Sequence, residues 1–191
     1  MYEQAAAAVA AGIDVIQLRE PELAAADLLM LAASIVDLTR GSATQLVVND
    51  RFDVAVTSGA HGVHLRSNSP LPRDIRAGAA AGFLIGRSIH TVAEVGDSDG
   101  ADYLIAGTVW PTASKPDAHP TIGLSGLREI VRATPIPVLA IGGVTVGRAA
   151  LVRDQGAAGV AAIGLFTASD EVGAFAGSRL AETVKTLRRI G

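Results

Sequence analysis

Short aliphatic runs alternate with longer Ala- and Leu-bearing segments along this chain, and that alternation limits its fold more than any other feature. The runs are Val15–Leu18, Leu46–Val48, Gly62–Leu65, Leu84–Gly86, Tyr103–Ala106, Val138–Ile141 and Gly159–Ile163. They are brief and continuously apolar, as strands buried on both faces are. Between them the pattern predicts helices over Ala24–Leu38, Arg73–Ala80, Val92–Val95, Gly126–Arg132, Gly147–Gln155 and Glu171–Arg189, with another over Glu3–Ala11 ahead of the first run. In the Ala24–Leu38 helix, Leu28, Leu31 and Ile35 form one apolar stripe suited to cover a sheet. Repeated strand-then-helix units imply a parallel sheet with right-handed crossovers.

The runs end in residues that do not belong in a core: Gln17-Leu18-Arg19-Glu20, Asn49-Asp50-Arg51, His64-Leu65-Arg66, Arg87-Ser88, Thr112-Ala113-Ser114-Lys115, Gly142-Gly143 and Gly164. Polar groups gathered at the C-terminal ends of successive strands are what a TIM (β/α)8-type barrel uses to build its site. The expectation is one such barrel domain over residues 1–191. A doubly wound open sheet competes, but it usually carries a Gly-rich turn after its first strand, and none is present. Seven runs are found and a helix precedes them, so the barrel is expected to lack its first strand. The two edges this leaves invite association, which makes a homo-oligomer an allowed state. Segment Ser114–Ile122, with Pro116, His119 and Pro120, reads as a lid loop on the functional face.

Composition removes several function classes. The net charge of -3 provides no broad basic field for nucleic acid. The absence of cysteine excludes disulfides, thiolate metal sites and a Cys nucleophile. No basic n-region precedes the Ala run near the start, and no apolar stretch reaches spanning length, so a cytoplasmic protein is expected.

Glycines after two strands suggest a phosphate grip. Gly142-Gly143 lie between an aliphatic run and a helix, and Gly164 occupies the matching place one strand later. Residues without side chains let backbone N–H groups approach an anion beside a helix N-terminus, although the same glycines could simply make tight turns. Asp50, directly after a buried run, is a candidate ligand for Mg2+, which prefers oxygen; the alternative is a helix cap within an Asp–Arg surface pair. Arg19 and Lys115 are cations at different strand ends that could meet on one polyanion, with Ser88, Thr112 and Ser114 as hydroxyl donors. Among the histidines, only His90 is a candidate acid or base, and a structural hydrogen bond is its competing role.

Taken together, Val15-Ile16-Gln17-Leu18-Arg19-Glu20, Val48-Asn49-Asp50-Arg51-Phe52-Asp53, Gly62-Val63-His64-Leu65, Gly86-Arg87-Ser88-Ile89-His90, Pro111-Thr112-Ala113-Ser114-Lys115 and Ala140-Ile141-Gly142-Gly143 resemble thiamine-phosphate synthase and its TenI-type relatives. The resemblance implies a transferase of thiamine biosynthesis that joins a hydroxymethylpyrimidine diphosphate to a thiazole phosphate and releases diphosphate. It implies that Gln17, Arg19, Asn49, Ser88 and Lys115 meet the pyrimidine diphosphate, with Asp50 on Mg2+. Thr112, Ser114, Gly142, Gly143, Ile163 and Gly164 would then hold the thiazole phosphate.

Two positions depart from that pattern. Pro21 stands where the family carries a lysine that helps hold diphosphate, and Ser69 stands where it carries the second carboxylate ligand of Mg2+. Arg66 is a candidate to restore the missing positive charge. The diphosphate half is therefore incomplete while the thiazole half is intact, which keeps two alternatives in play. One is a thiazole tautomerase of the same superfamily, although Thr108 stands where that enzyme has its base. The other is a barrel that binds thiazole phosphate without turnover.

Overall fold

The computed structural model describes residues 1–112, 120–167 and 174–190. Seven parallel strands form one curled sheet in the order β1 to β7. They are β1 Val15–Leu18, β2 Gln45–Asn49, β3 Gly62–Leu65, β4 Leu84–Ile89, β5 Tyr103–Gly107, β6 Val138–Ile141 and β7 Gly159–Ala161. The helices are α1 Tyr2–Ala10, α2 Ala25–Thr39, α3 Phe52–Ser58, α4 Pro72–Arg76, α5 Gly123–Arg132, α6 Val146–Arg153, α7 Gly164–Thr167 and α8 Ala174–Ile190. A 3-10 segment, Val92–Ser98, joins β4 to β5.

The register separates two faces with period two. Leu46, Val48, Val63, Leu65 and Ile85 on one half of the sheet pack with Leu28, Ala32, Ile35, Val54 and Ala55 of the helix layer. On the other half, Leu104, Ala106, Val138 and Ala140 pack with Leu127, Ile130 and Val152. The opposite face follows the ladder partners Asn49↔His64, His64↔Gly86, Gly86↔Tyr103 and Ser88↔Ile105, and it is polar towards the strand ends. No ladder joins β1 to β7 among the described residues. Helix α8 packs against both α1 and α6 and so bridges the helix layer there. It is tied down by Arg188, which donates to Gly12 O at 2.7 Å and pairs with Asp14 at 2.8 Å.

Several element boundaries differ from the sequence pattern for identifiable reasons. Helix α3 was not predicted, because Val54, Val56 and Thr57 are poor helix formers. Burial of Val54 and Ala55 overrides that preference, and Gly59 at φ 73° terminates the helix in the left-handed region. The Val92–Val95 helix is a 3-10 segment instead. Strand β4 runs on to Ile89, which puts Ser88 inside the sheet instead of after it. Strand β7 stops at Ala161, leaving Ile163 outside the ladder and 65% exposed. In α2 the fully buried positions are Leu28, Ala32 and Ile35, with Leu31 only half-buried at the margin of the stripe.

At the N-terminal ends of β4 and β5, a second polar cluster fastens α4 to the sheet. Asp102 accepts from the Ile85 backbone N–H at 2.7 Å and from Arg76 at 2.5 Å. Arg76 also donates to Phe83 O at 2.6 Å and Gly100 O at 3.1 Å. Asp102→Ala removes the acceptor for both donors, and urea unfolding is expected to show a loss of about 1–3 kcal/mol.

Candidate active site

A row of polar side chains crosses the C-terminal ends of the first four strands. Gln17 on β1 donates through Nε2 to Asn49 Oδ1 on β2 at 3.0 Å. Asn49 stands level with His64 on β3. His64 is 2% exposed; its Nε2 lies 2.9 Å from Ser88 Oγ on β4, and its Nδ1 lies 3.2 Å from the Tyr103 hydroxyl on β5. The His64 and Tyr103 rings stack with centroids 5.6 Å apart. Gly86 makes this possible: a Cβ there would lie 2.2 Å from Tyr103 Cζ and 2.5 Å from His64 Nδ1.

Burial sets the protonation of this row. Desolvation lowers the His64 pKa from 6.5 to about 4, against a smaller opposing pull from the Asp50 charge. Burial likewise raises the Tyr103 pKa, with the Asp102 charge adding to the effect. Near neutrality a neutral imidazole therefore sits between a phenol that keeps its proton and the Ser88 hydroxyl.

Asp50 leaves β2 in the left-handed region at φ 63°, a conformation that Asp tolerates better than most residues. Its N–H donates to His64 O at 2.8 Å. Arg66 binds Asp50 Oδ2 through Nε at 2.9 Å and again through Nη2, while the Ser69 hydroxyl donates to Oδ1. Burial alone would raise the Asp50 pKa, but the Ser69 and Arg66 contacts together outweigh it and lower the value. Asp50 is not a helix cap: Arg51 holds the N-cap position of α3 and pairs with Asp53 at 2.6 Å.

On the other side of the sheet, Gly142 and Gly143 take φ values of 96° and 63°. A Cβ on Gly142 would lie 2.3 Å from Thr108 Cγ2, and one on Gly143 would lie 2.7 Å from Trp110 Cβ. The side-chain-free space of both residues is thus filled by the segment after β5, which also donates from Trp110 N–H to Gly142 O at 3.1 Å. Arg148 closes this corner, donating to Gly143 O at 2.6 Å with its guanidinium 4.8 Å from the Trp110 ring centroid. Gly164 is the open glycine, with nothing within 4 Å of a built Cβ.

Of the residues expected from sequence, Gln17 bonds to Asn49, Ser88 bonds to His64 at the level of Asn49 on the next strand, and Asp50 lies next to them. Arg19 is exposed just beyond β1, Thr112 is half-buried beyond β5, and Ile163 and Gly164 follow β7. Ser114 and Lys115, and with them most of the expected lid, lie outside the described residues. His90 Nδ1 lies 2.5 Å from Gly107 O and its N–H donates to Glu94, which is the structural role. Sequence reasoning passed over His64, Tyr103, Arg148 and Trp110. The available signal for the first was a histidine inside an otherwise aliphatic run.

The depressed His64 pKa gives stability a pH dependence of known sign. The unfolded imidazole takes a proton below 6.5 while the buried one resists until about 4. Stability is therefore complete above pH 6.5 and falls through that interval, by about 3 kcal/mol in the limit. Chemical unfolding at pH 7 and pH 4.5 is expected to show that loss in the wild type and a clearly smaller one in His64→Gln.

Comparison with known proteins converges on one family. The family model described as thiamine monophosphate synthase matches residues 1–166. The thiamine-phosphate synthase of Methanoculleus marisnigri is 42% identical over 173 residues, covering 90% of this chain and 82% of the relative. That of Roseiflexus castenholzii is 43% identical over 160 residues, covering 82% of this chain and 70% of the relative. Among solved structures, the thiamine phosphate pyrophosphorylase of Pyrococcus furiosus superposes with a TM-score of 0.81 at 30% identity, covering 99% of this chain and 88% of that one. A family match over most of the residues, supported by relatives this similar and this completely covered, means that the chain belongs to the thiamine monophosphate synthase family.

Proposed function

We propose that this protein is a thiamine-phosphate synthase, a cytoplasmic transferase that joins a hydroxymethylpyrimidine diphosphate to a thiazole phosphate. The observation that carries the reading is the pair of bonds Gln17–Asn49 and His64–Ser88, set side by side by the β2–β3 register at the strand ends of a chain from this family. In the reaction, the bond between the pyrimidine methylene carbon and the diphosphate oxygen breaks, and the electron pair leaves with the diphosphate. The thiazole nitrogen donates its lone pair to that carbon and forms the new C–N bond.

Catalysis here means holding the departing charge and the two reactants in line. Gln17 and Asn49 present amide groups to the pyrimidine end, and Arg19 and Ser88 serve its diphosphate; Lys115, outside the described residues, is assigned to the diphosphate by the resemblance alone. In the tautomer where Tyr103 donates to His64 Nδ1, the Nε2–H donates to Ser88 Oγ and the Ser88 hydrogen is free for a diphosphate oxygen. His64 and Tyr103 are thus positioning residues for Ser88. The thiazole phosphate is assigned to the far side, against Thr112, Gly142, Gly143, Ile163 and Gly164, with Ser114, outside the described residues, assigned by the resemblance alone. Segment 108–111 fills the side-chain-free space of Gly142 and Gly143, whereas a Cβ built on Gly164 would meet nothing within 4 Å.

Magnesium, which the resemblance implies on Asp50, does not fit the residues as placed. Both carboxylate oxygens already accept, one from Arg66 and the other from Ser69, and a guanidinium repels a divalent cation. The tautomerase alternative is not favoured by the geometry, because Thr108 is buried where a base is needed and His90 is engaged with Gly107. The unit proposed is the single barrel of residues 1–191. That barrel is proposed to lack its first strand, the described strands leaving β1 and β7 as sheet ends.

Incubating the protein with both phosphorylated substrates is expected to give thiamine phosphate and diphosphate in equal amounts, followed by chromatography. Ser88→Ala is expected to lower kcat about 100-fold while thiazole phosphate affinity stays unchanged. No product from the two substrates, with thiazole phosphate still bound, would return the non-catalytic barrel as the better description.

A further inference from the structure

The loop after β3 is built more firmly than a solvated turn requires. The Ser69 hydroxyl donates to Asp50, and its oxygen accepts the Arg66 N–H at 3.0 Å. Arg87 lies on the helix face of β4, is 2% exposed, and donates to Ser67 O at 2.7 Å and Pro70 O at 3.3 Å. Moving the loop would strip a buried guanidinium of these two acceptors, so the loop is held in place. Asp50 is equally fixed, through its left-handed backbone and its N–H bond to His64 O.

We infer that Arg66, clamped by Asp50 and Ser69, is the resident cation of the diphosphate subsite and allows diphosphate to bind without a divalent metal. This deepens the proposed function and rests on its placing diphosphate at this end of the barrel. Arg66 spends Nε and Nη2 on Asp50, while Nη1 makes no hydrogen bond among the described residues and the side chain is 54% exposed. A guanidinium held along one edge presents its other edge as a pre-oriented fork for phosphoryl oxygens. The pairing also matters for charge. A lone Asp50 carboxylate would repel diphosphate unless a cation neutralised it, and Arg66 does so within the chain. Arg19, which makes no ion pair among the described residues, then adds net positive charge at the β1 end.

The test is calorimetric titration of the full chain with inorganic pyrophosphate, in EDTA and again in excess MgCl2. Wild type is expected to bind in EDTA, with Mg2+ changing Kd less than threefold. Arg66→Ala is expected to weaken the metal-free Kd at least tenfold. In Arg66→Ala/Ser69→Asp, which frees Asp50 and adds a second carboxylate, binding is expected to become Mg2+-dependent. Binding that appears only with Mg2+ in wild type, no binding in either buffer, or an unchanged metal-free Kd in Arg66→Ala each overturns the assignment. Circular dichroism reports folding. If Arg66→Ala does not fold, Arg66→Lys decides: it keeps the charge without the fork, and a metal-free Kd equal to wild type overturns the assignment, whereas a loss of threefold or more supports it. Turnover is scored separately. Arg66-dependent pyrophosphate binding in a protein that forms no thiamine phosphate would sink the proposed reaction and leave the cation assignment standing.

Discussion

The parallel register of β2, β3 and β4 sets His64 level with both Asn49 and Gly86, and the candidate site depends on that alignment. A slip of one residue in any of these strands would turn its polar groups into the helix layer and its aliphatic ones onto the concave face. The register is held by apolar burial on the helix side, where Leu46, Val48, Val63 and Ile85 are fully covered. The core thus orders the polar face indirectly. Buried aliphatic residues determine where the polar ones stand.

Burial also explains how a histidine can serve this site without titrating near neutrality. A half-exposed imidazole would exchange protons near pH 6.5 and alternate between donor patterns. Desolvation holds His64 neutral, so its two nitrogens keep complementary roles between Tyr103 and Ser88. The space for this arrangement comes from Gly86, whose missing side chain admits the Tyr103 ring against the imidazole. The same device recurs at Gly142 and Gly143, where the missing side chains admit Thr108 and Trp110. At those two positions glycine serves the approach of one protein segment to another.

At the Asp50 corner, the loop after β3 presents a donor, Ser69, and a cation, Arg66, to the carboxylate. Asp50 then has an internal partner, and its lowered pKa reflects hydrogen bonds from the chain itself. Arg87 extends the same logic inward by fixing the loop from beneath.

The alternation of aliphatic runs and helices was enough to specify a parallel α/β sheet, because a strand buried on both faces must be continuously apolar and its crossover must return on one side. The motifs at the strand ends were enough to point to the family and to place Gln17, Asn49, Asp50 and Ser88 near one another, since parallel strands deliver their C-terminal ends to one rim. Helix α3 was hidden because its β-branched residues argue against a helix until their burial is known. The His64–Tyr103 contact was hidden because it joins residues on two strands separated by a third, across a glycine. The partner of Asp50 likewise depended on how the loop after β3 folds back, which no local pattern encodes. Sequence determined which groups reach the rim. Tertiary structure alone decided which of them pair with each other, because pairing depends on distances and desolvation that exist only once the chain has closed around them.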